Sequence, residues 1–305
     1  MIIRERQLLQ SEIATLEELI HQTPKEDVID RKSLEARKRE VEAALSILNP
    51  PYYEPARSQL KFRGKPTVKS QGVYADFAAS ALDKYAKMIV VLGSDQTNEL
   101  GSRGIIPDRE EFKLMITGTL TGSFGFEIEE APKERTLLPE LSPVKAAMEK
   151  ANLIMELSAG SSDDEVADAI ADTSTRAVEA VRVFLEVMEI YDAVFAIELD
   201  GNKSLRFANV EQIKQTRERL KPENIIEGDA DLLGKFEGTI PARRLFQFLS
   251  ETPPEIIIGK IGSEIEDPSK INQFIERPMK IKVHTKQVGN SRPRYTLTRY
   301  EVIAE

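Results

Sequence analysis

Apolar residues recur in alternating three- and four-residue steps at the start of the chain. Ile2, Leu9, Ile13, Leu16 and Ile20 form the series, with Arg6 in the one polar slot. That spacing is the seam of a coiled-coil helix. "TPKE" then starts a second helix, with Thr23 as cap, Pro24 at the first helical position and Glu26 closing a capping box. Its stripe is Leu34, Val41, Leu45 and Leu48, and "NPPYYEP" stops any helix. The pattern predicts a helical hairpin over 1–50 and a proline-rich linker over 51–59. Two short helices cannot cover such a seam. Leu9, Ile13, Leu16, Ile20, Leu34, Val41, Leu45 and Leu48 are therefore expected to meet a second copy, a partner coiled coil or the body of the protein.

Residues 60–221 read as a mixed α+β domain. "LKFRGKPTV" alternates as a strand. A long helix from Val73 buries Phe77, Ala81, Leu82, Tyr85, Met88, Ile89 and Leu92. "GSDQTNELGSRGIIPD" reads as a loop. In "MITGTLTGSFGFEIEE" the residues Ile116, Gly118, Leu120, Gly122, Phe124, Phe126 and Ile128 share one parity. Thr117, Thr119, Thr121, Ser123, Glu127 and Glu129 share the other. Period-two alternation marks a half-buried strand. The stretch is too long to run straight, so a bulge or a hairpin around Thr121 to Ser123 is expected, with the glycines serving the bend. A phosphate loop is excluded, because no lysine lies between Lys113 and Lys133 and no helix opens after the glycines. Three helical stretches follow, the first capped by Ser142-Pro143 and the second by a Ser162–Glu165 capping box. A hairpin turning at Asp200-Gly201-Asn202 and a charged helix lead to Pro222.

Residues 222–305 change to closely spaced strands: "NIIEGDADLLGKFEGTI", "RLFQFLS", "EIIIGKI", "MKIKVHTKQ" and "RYTLTRYEVI". A short helix, "DPSKINQFI", separates the third from the fourth. This order predicts a small five-stranded β-barrel of OB or SH3-like type.

Composition narrows the function. The chain has 305 residues, no cysteine, and no apolar run long enough to span a bilayer. Disulfides, thiolate zinc sites and cysteine nucleophiles are excluded, and a cytoplasmic protein without membrane contact is expected. Net charge is −9, unevenly spread: residues 1–100 are neutral, 101–202 carry −12 and 203–305 carry +3. Such polarity argues for regions with different partners and against non-specific nucleic-acid binding by the whole molecule.

The candidate chemistry is sparse. The two histidines, His21 and His284, have no nucleophile elbow beside them. Carboxylates cluster at Glu127–Glu130, Asp163–Glu165 and Glu227–Asp231 without calcium-loop spacing. No catalytic residue, metal ligand or cofactor is assigned. The basic cluster between Arg277 and Arg299 holds seven lysines and arginines and no acid. Alternation puts Lys280, Lys282, His284 and Lys286 on one outer strand face. Arg292 and Arg294 lie at the hairpin tip, and Arg243 and Arg244 in the loop between the first two barrel strands. These loops would flank an OB groove and funnel a phosphate backbone, with only Tyr295 and Tyr300 near for stacking. An outer lysine face also serves simply to discourage aggregation.

The expectation is a non-enzymatic interaction or scaffold protein. It self-associates or docks through the hairpin, as a homo-oligomer or with a partner protein, and binds a partner through the barrel. The alternatives are a nucleic-acid-binding accessory protein using the basic hairpin and a carboxylate- or metal-dependent enzyme.

Overall fold

The computed structural model describes residues 2–24, 27–48, 55–69, 71–98, 100–101, 103–120, 124–131, 142–160, 162–200 and 203–303. Glu26, residues 51–54 of the 51–59 linker, residues 121–123 where the bend is expected, and residues 201–202 lie outside them, while Arg57–Gln59 of that linker already belong to the first strand. Helices α1 (Ile2–Gln22) and α2 (Val28–Leu48) pack side by side. Leu16 and Val41 are buried, while Leu9, Ile13, Ile20, Leu34 and Leu45 are only half-buried. The Leu48 side chain is outside the described set. Arg37 reaches Glu12 at 2.8 Å and Lys38 reaches Glu17 at 2.7 Å across the pair. Leu8 and Leu19 stay exposed on α1.

The middle of the chain forms a five-stranded antiparallel sheet in the order β4-β5-β1-β6-β7. Its strands are β1 (Arg57–Gly64), β4 (Leu114–Leu120), β5 (Gly125–Glu130), β6 (Ala193–Leu199) and β7 (Lys203–Arg206). The short β2 (Thr67–Val68) and β3 (Gly72–Val73) pair beside it. Helices α3 (Ala75–Thr97), α4 (Pro143–Gly160), α5 (Asp163–Ile170), α6 (Thr175–Ile190) and α7 (Val210–Arg219) complete this part of the chain. Alternation sends Leu60, Phe62, Phe195 and Ile197 to one sheet face. There Phe62 meets Phe77 of α3 edge-on at 5.0 Å, and Phe184 of α6 meets Phe195 at 5.1 Å.

The glycine-bearing stretch is a strand pair. β4 and β5 pair from Leu114↔Glu130 to Leu120↔Gly125, with a register shift between Ile116 and Gly118. Gly125 is required by close approach, since a Cβ there would sit 2.5 Å from the Leu60 carbonyl of β1. The other parity is not solvated: Glu127 and Glu129 are buried, and Arg57 lies 2.7 Å from Glu127. The capping box at Ser162–Glu165 forms as expected. α3, by contrast, runs through Gly93, where a loop is expected. The Phe112 ring packs on that glycine, leaving no room for a Cβ (2.2 Å), so close packing keeps Gly93 in the helix.

From β8 (Ile225–Ile240) the chain builds a closed ring with β9 (Leu245–Glu251), β10 (Pro254–Ile261), β11 (Pro278–Val288) and β12 (Arg294–Val302). Its order is β10-β12-β11-β8-β9, and β9 pairs back to β10. Every pairing is antiparallel except β10 with β12. The helix expected between the third and fourth strands is a 3-10 turn, Pro268–Phe274. The ring has its own core of Phe236, Phe246, Phe248, Ile281, Val283 and Leu297, separate from that of the helix-covered sheet. Val288 is the one buried ring residue in the other core.

Tyr85 is fully buried and donates to Ser58 Oγ at 3.0 Å. Burial pushes its phenol up to about 12 from an ordinary 10.0, against the opposing Ser58 bond. The folded form therefore holds the proton longer than the unfolded chain. Stability is intact below pH 10 and falls by roughly 2–3 kcal/mol as pH rises toward 12. Tyr85→Phe is expected to cost about 1 kcal/mol at neutral pH and to flatten that alkaline decline. Urea unfolding at pH 7, 10 and 11.5 measures both effects.

Candidate functional site

The basic face of β11 does not stand alone. β8 pairs with it antiparallel and sets Lys282 opposite Asp231, His284 opposite Asp229 and Lys286 opposite Glu227. The acids of "EGDAD" share the parity of the lysines, so each cation finds a carboxylate on the next strand. Lys280 lies 2.8 Å from Asp231, Lys282 3.0 Å from Asp229, and Lys286 2.8 Å from Glu227. His284 Nδ1 also sits 3.0 Å from Asp229. His284 and then Lys282 hold the Asp229 carboxyl below its usual range, while Asp231 raises the Lys280 ammonium. The cluster read as a basic face is an ion-pair ladder. The alternation of Glu227, Asp229 and Asp231 carried the signal, but the pairing of two strands some fifty residues apart did not show in it.

Lys286 departs from the expected outer position. It is 5% exposed, and its Nζ donates to Thr173 O at 2.6 Å and Ile170 O at 3.3 Å. The Ile170 carbonyl ends α5 and Thr173 lies just beyond it, where the helix dipole favours a cation. Burial works to raise the partner Glu227 carboxyl, but Lys286 holds it below the ordinary value.

The hairpin tip is engaged as well. Asn290 N donates to Asp163 at 3.4 Å and Arg292 N to Asp164 at 3.1 Å, both at the N-terminus of α5. The Arg294 guanidinium joins Asp164 at 3.1 Å and also reaches Asp168. Arg219 holds Asp163 at 2.8 Å. The Asp163 carboxyl is lowered first by Arg219, and Asp164 first by the Arg292 amide and then by Arg294. The "SSDDE" acids thus cap α5 and also dock the ring.

Arg243 and Arg244 follow the opposite end of β8 from this tip, since Ile240 pairs with Leu245 while Ile225 pairs with Val288. Arg244 donates to Ile261 O at 3.0 Å, Ile265 O at 2.8 Å and Gly262 O, pinning the segment after β10. Arg243 is exposed, as is the side chain of Arg292. Tyr300 meets Phe236 of the ring core edge-on at 6.3 Å, and Tyr295 also packs on that core.

Two further features emerge. On the outside of β9 and β10, Ile256 faces Leu249 across the strands, and Ile258 follows on the same face. Their exposures are 57%, 39% and 67%. The signal was the run "III": a strand with one face buried must turn at least one of three consecutive isoleucines to solvent, and with Ile257 inward it turns two. Between the ring and the α5–α6 corner lies a cleft of about 910 Å³, with Asp95, Gln96, Thr175, Lys260, His284 and Thr296 in its walls. Burial raises the Asp95 carboxyl above its usual range, against the opposing Ser174 hydrogen bonds. Thr175 Oγ1 donates to Glu227 at 2.8 Å.

Among the described residues, no group of three or more His, Asp or Glu side chains is placed to hold a metal ion, and no helix is long and apolar enough to cross a membrane. Comparison with protein-family models, curated proteins and solved structures gives no match for this chain.

Lys286→Met should destabilise the protein by roughly 1–3 kcal/mol, because it takes the buried ammonium from the part-exposed Glu227 and strips two carbonyls of their donor. Lys280→Met, at an exposed rung, should leave the urea midpoint in place. Equal effects would mean that the depth of the ladder end is unimportant.

Proposed function

We propose that this chain is a non-enzymatic interaction protein, self-associating through α1 and α2 as a coiled-coil hairpin and binding a partner protein through an OB-like ring. The observation that carries this reading is the aliphatic stripe of Leu249, Ile256 and Ile258, exposed on paired strands. Clustered aliphatics on regular structure mark interaction surfaces. A closed ring has no unpaired edge for a partner strand, which suits the apolar face of a partner helix. The parallel β10–β12 pair and the crossing from β10 to β11 favour the Greek-key OB arrangement over an SH3-like one. Self-association is supported by the half-buried seam of Leu9, Ile13, Ile20, Leu34 and Leu45, more apolar surface than two helices cover.

The nucleic-acid reading loses its main support. Lys280, Lys282, Lys286 and Arg294 are spent on carboxylates or carbonyls of the same chain, and Arg243 and Arg292 remain as exposed arginines of the expected set.

The double variant Ile256→Lys/Ile258→Lys should keep the far-UV circular dichroism and lose whatever protein co-purifies with the native chain. Retention of that protein would refute a role for this face. Light scattering should give an oligomer for the native chain and a monomer for Ile13→Glu/Ile20→Glu; identical masses would remove the assembly role. Oligonucleotide binding should be undetectable at physiological salt. An affinity falling steeply with salt and abolished by Lys280→Glu/Lys282→Glu would restore the nucleic-acid reading.

A further inference from the structure

The contacts between ring and helical layer are unevenly distributed. At one end Val288 enters the helical core, Lys286 is buried on the end of α5, and the tip lies against Asp163, Asp164 and Asp168. Across the cleft, Lys260 at the end of β10 meets Asp172 of the α5–α6 corner at 3.1 Å. Among the described residues it is the ion pair joining β10 to the helical layer. Its side chains are 47% and 53% exposed. The other oxygen of Asp172 accepts from Lys150 at 2.6 Å, so the carboxylate keeps a partner if Lys260 leaves. Lys286, in contrast, is buried, and its departure would leave the Ile170 and Thr173 carbonyls without their donor. Polar side chains, Gln96, Thr175, Glu264 and Thr298 among them, line the cleft between the two sets of contacts, and Gln96 and Glu264 already meet solvent.

From this asymmetry we infer that the ring swings on the helical layer about its Lys286–Val288 end, with Lys260 and Asp172 forming the latch across the cleft. The two parts have separate cores, so the motion breaks neither. Opening widens the cleft beside Asp95, Gln96 and Asn98. An exposed ion pair shifts such an equilibrium by about 1.5- to 5-fold, and salt weakens it. The latch therefore biases the ring toward closure without locking it, and ionic strength tunes the balance. This device is independent of the partner-binding stripe on the outer face of β9 and β10.

The absence of native cysteine makes the test direct. Spin labels at Gln96→Cys and Glu264→Cys, exposed residues of the cleft wall on the helical layer and on the segment after β10, report the opening as a distance distribution in the full chain. The native latch should give a short-distance population with a minor longer one. The longer one should grow about 1.5- to 5-fold in Lys260→Ala and in high salt, at an unchanged unfolding midpoint, and Lys260→Arg should restore the native distribution. A single distribution unaffected by Lys260→Ala and by salt would overturn the inference. So would a Lys260→Ala variant that loses its circular dichroism signal, because Lys260 would then be a structural pin.

Discussion

A lysine ammonium taken out of water must find acceptors, and Lys286 finds them on two different parts of the molecule. Glu227 comes from the ring, and the Ile170 and Thr173 carbonyls come from the end of α5. The penalty for an unpaired charge at that depth fixes the end of β11 against the helical layer. With β11 placed, the antiparallel register carries the rest: His284 meets Asp229, Lys282 meets Asp231, and the tip arrives at the N-terminus of α5. One short helix is thus gripped at both ends. Each end takes the charge that its dipole prefers, carboxylates at the start and an ammonium at the finish.

This placement changes the meaning of the charge distribution. An acidic middle beside a basic end looks like a protein with two external partners. Much of that polarity is satisfied internally, between Asp163, Asp164 and Asp168 on one side and Arg294 and the tip amides on the other. Beside its paired charges the ring also presents aliphatic side chains outward, at Leu249, Ile256 and Ile258.

Local physics was legible in the sequence and long-range register was not. Alternation from Met115 to Glu130 disclosed strand with an interruption, because parity depends only on neighbours, and the pairing of β4 with β5 came from the structure. The Ser162–Glu165 capping box and the five strands of the ring were readable for the same reason. The buried state of Glu127 and Glu129 depends on Arg57, seventy residues away. The neutralised β11 face depends on β8, and Arg244 on carbonyls at and beyond the end of β10. In each case the residue type was informative and its partner was hidden. Gly93 shows the reverse: a residue that ordinarily breaks helices is retained because an aromatic ring from another segment needs the space.

The two kinds of sheet in this molecule differ in their exposure to misassembly. Closure leaves the ring without backbone groups to template a foreign strand, so crowding many copies together would not favour fibrils through it. Any such hazard falls on β4 and β7, the outer strands of the open sheet. β4 carries an irregularity at Thr117, and β7 is four residues long with Lys203 and Arg206 at its ends. Both are features that deter sticky edges, so the fold tolerates the high local concentration that an assembling hairpin would impose.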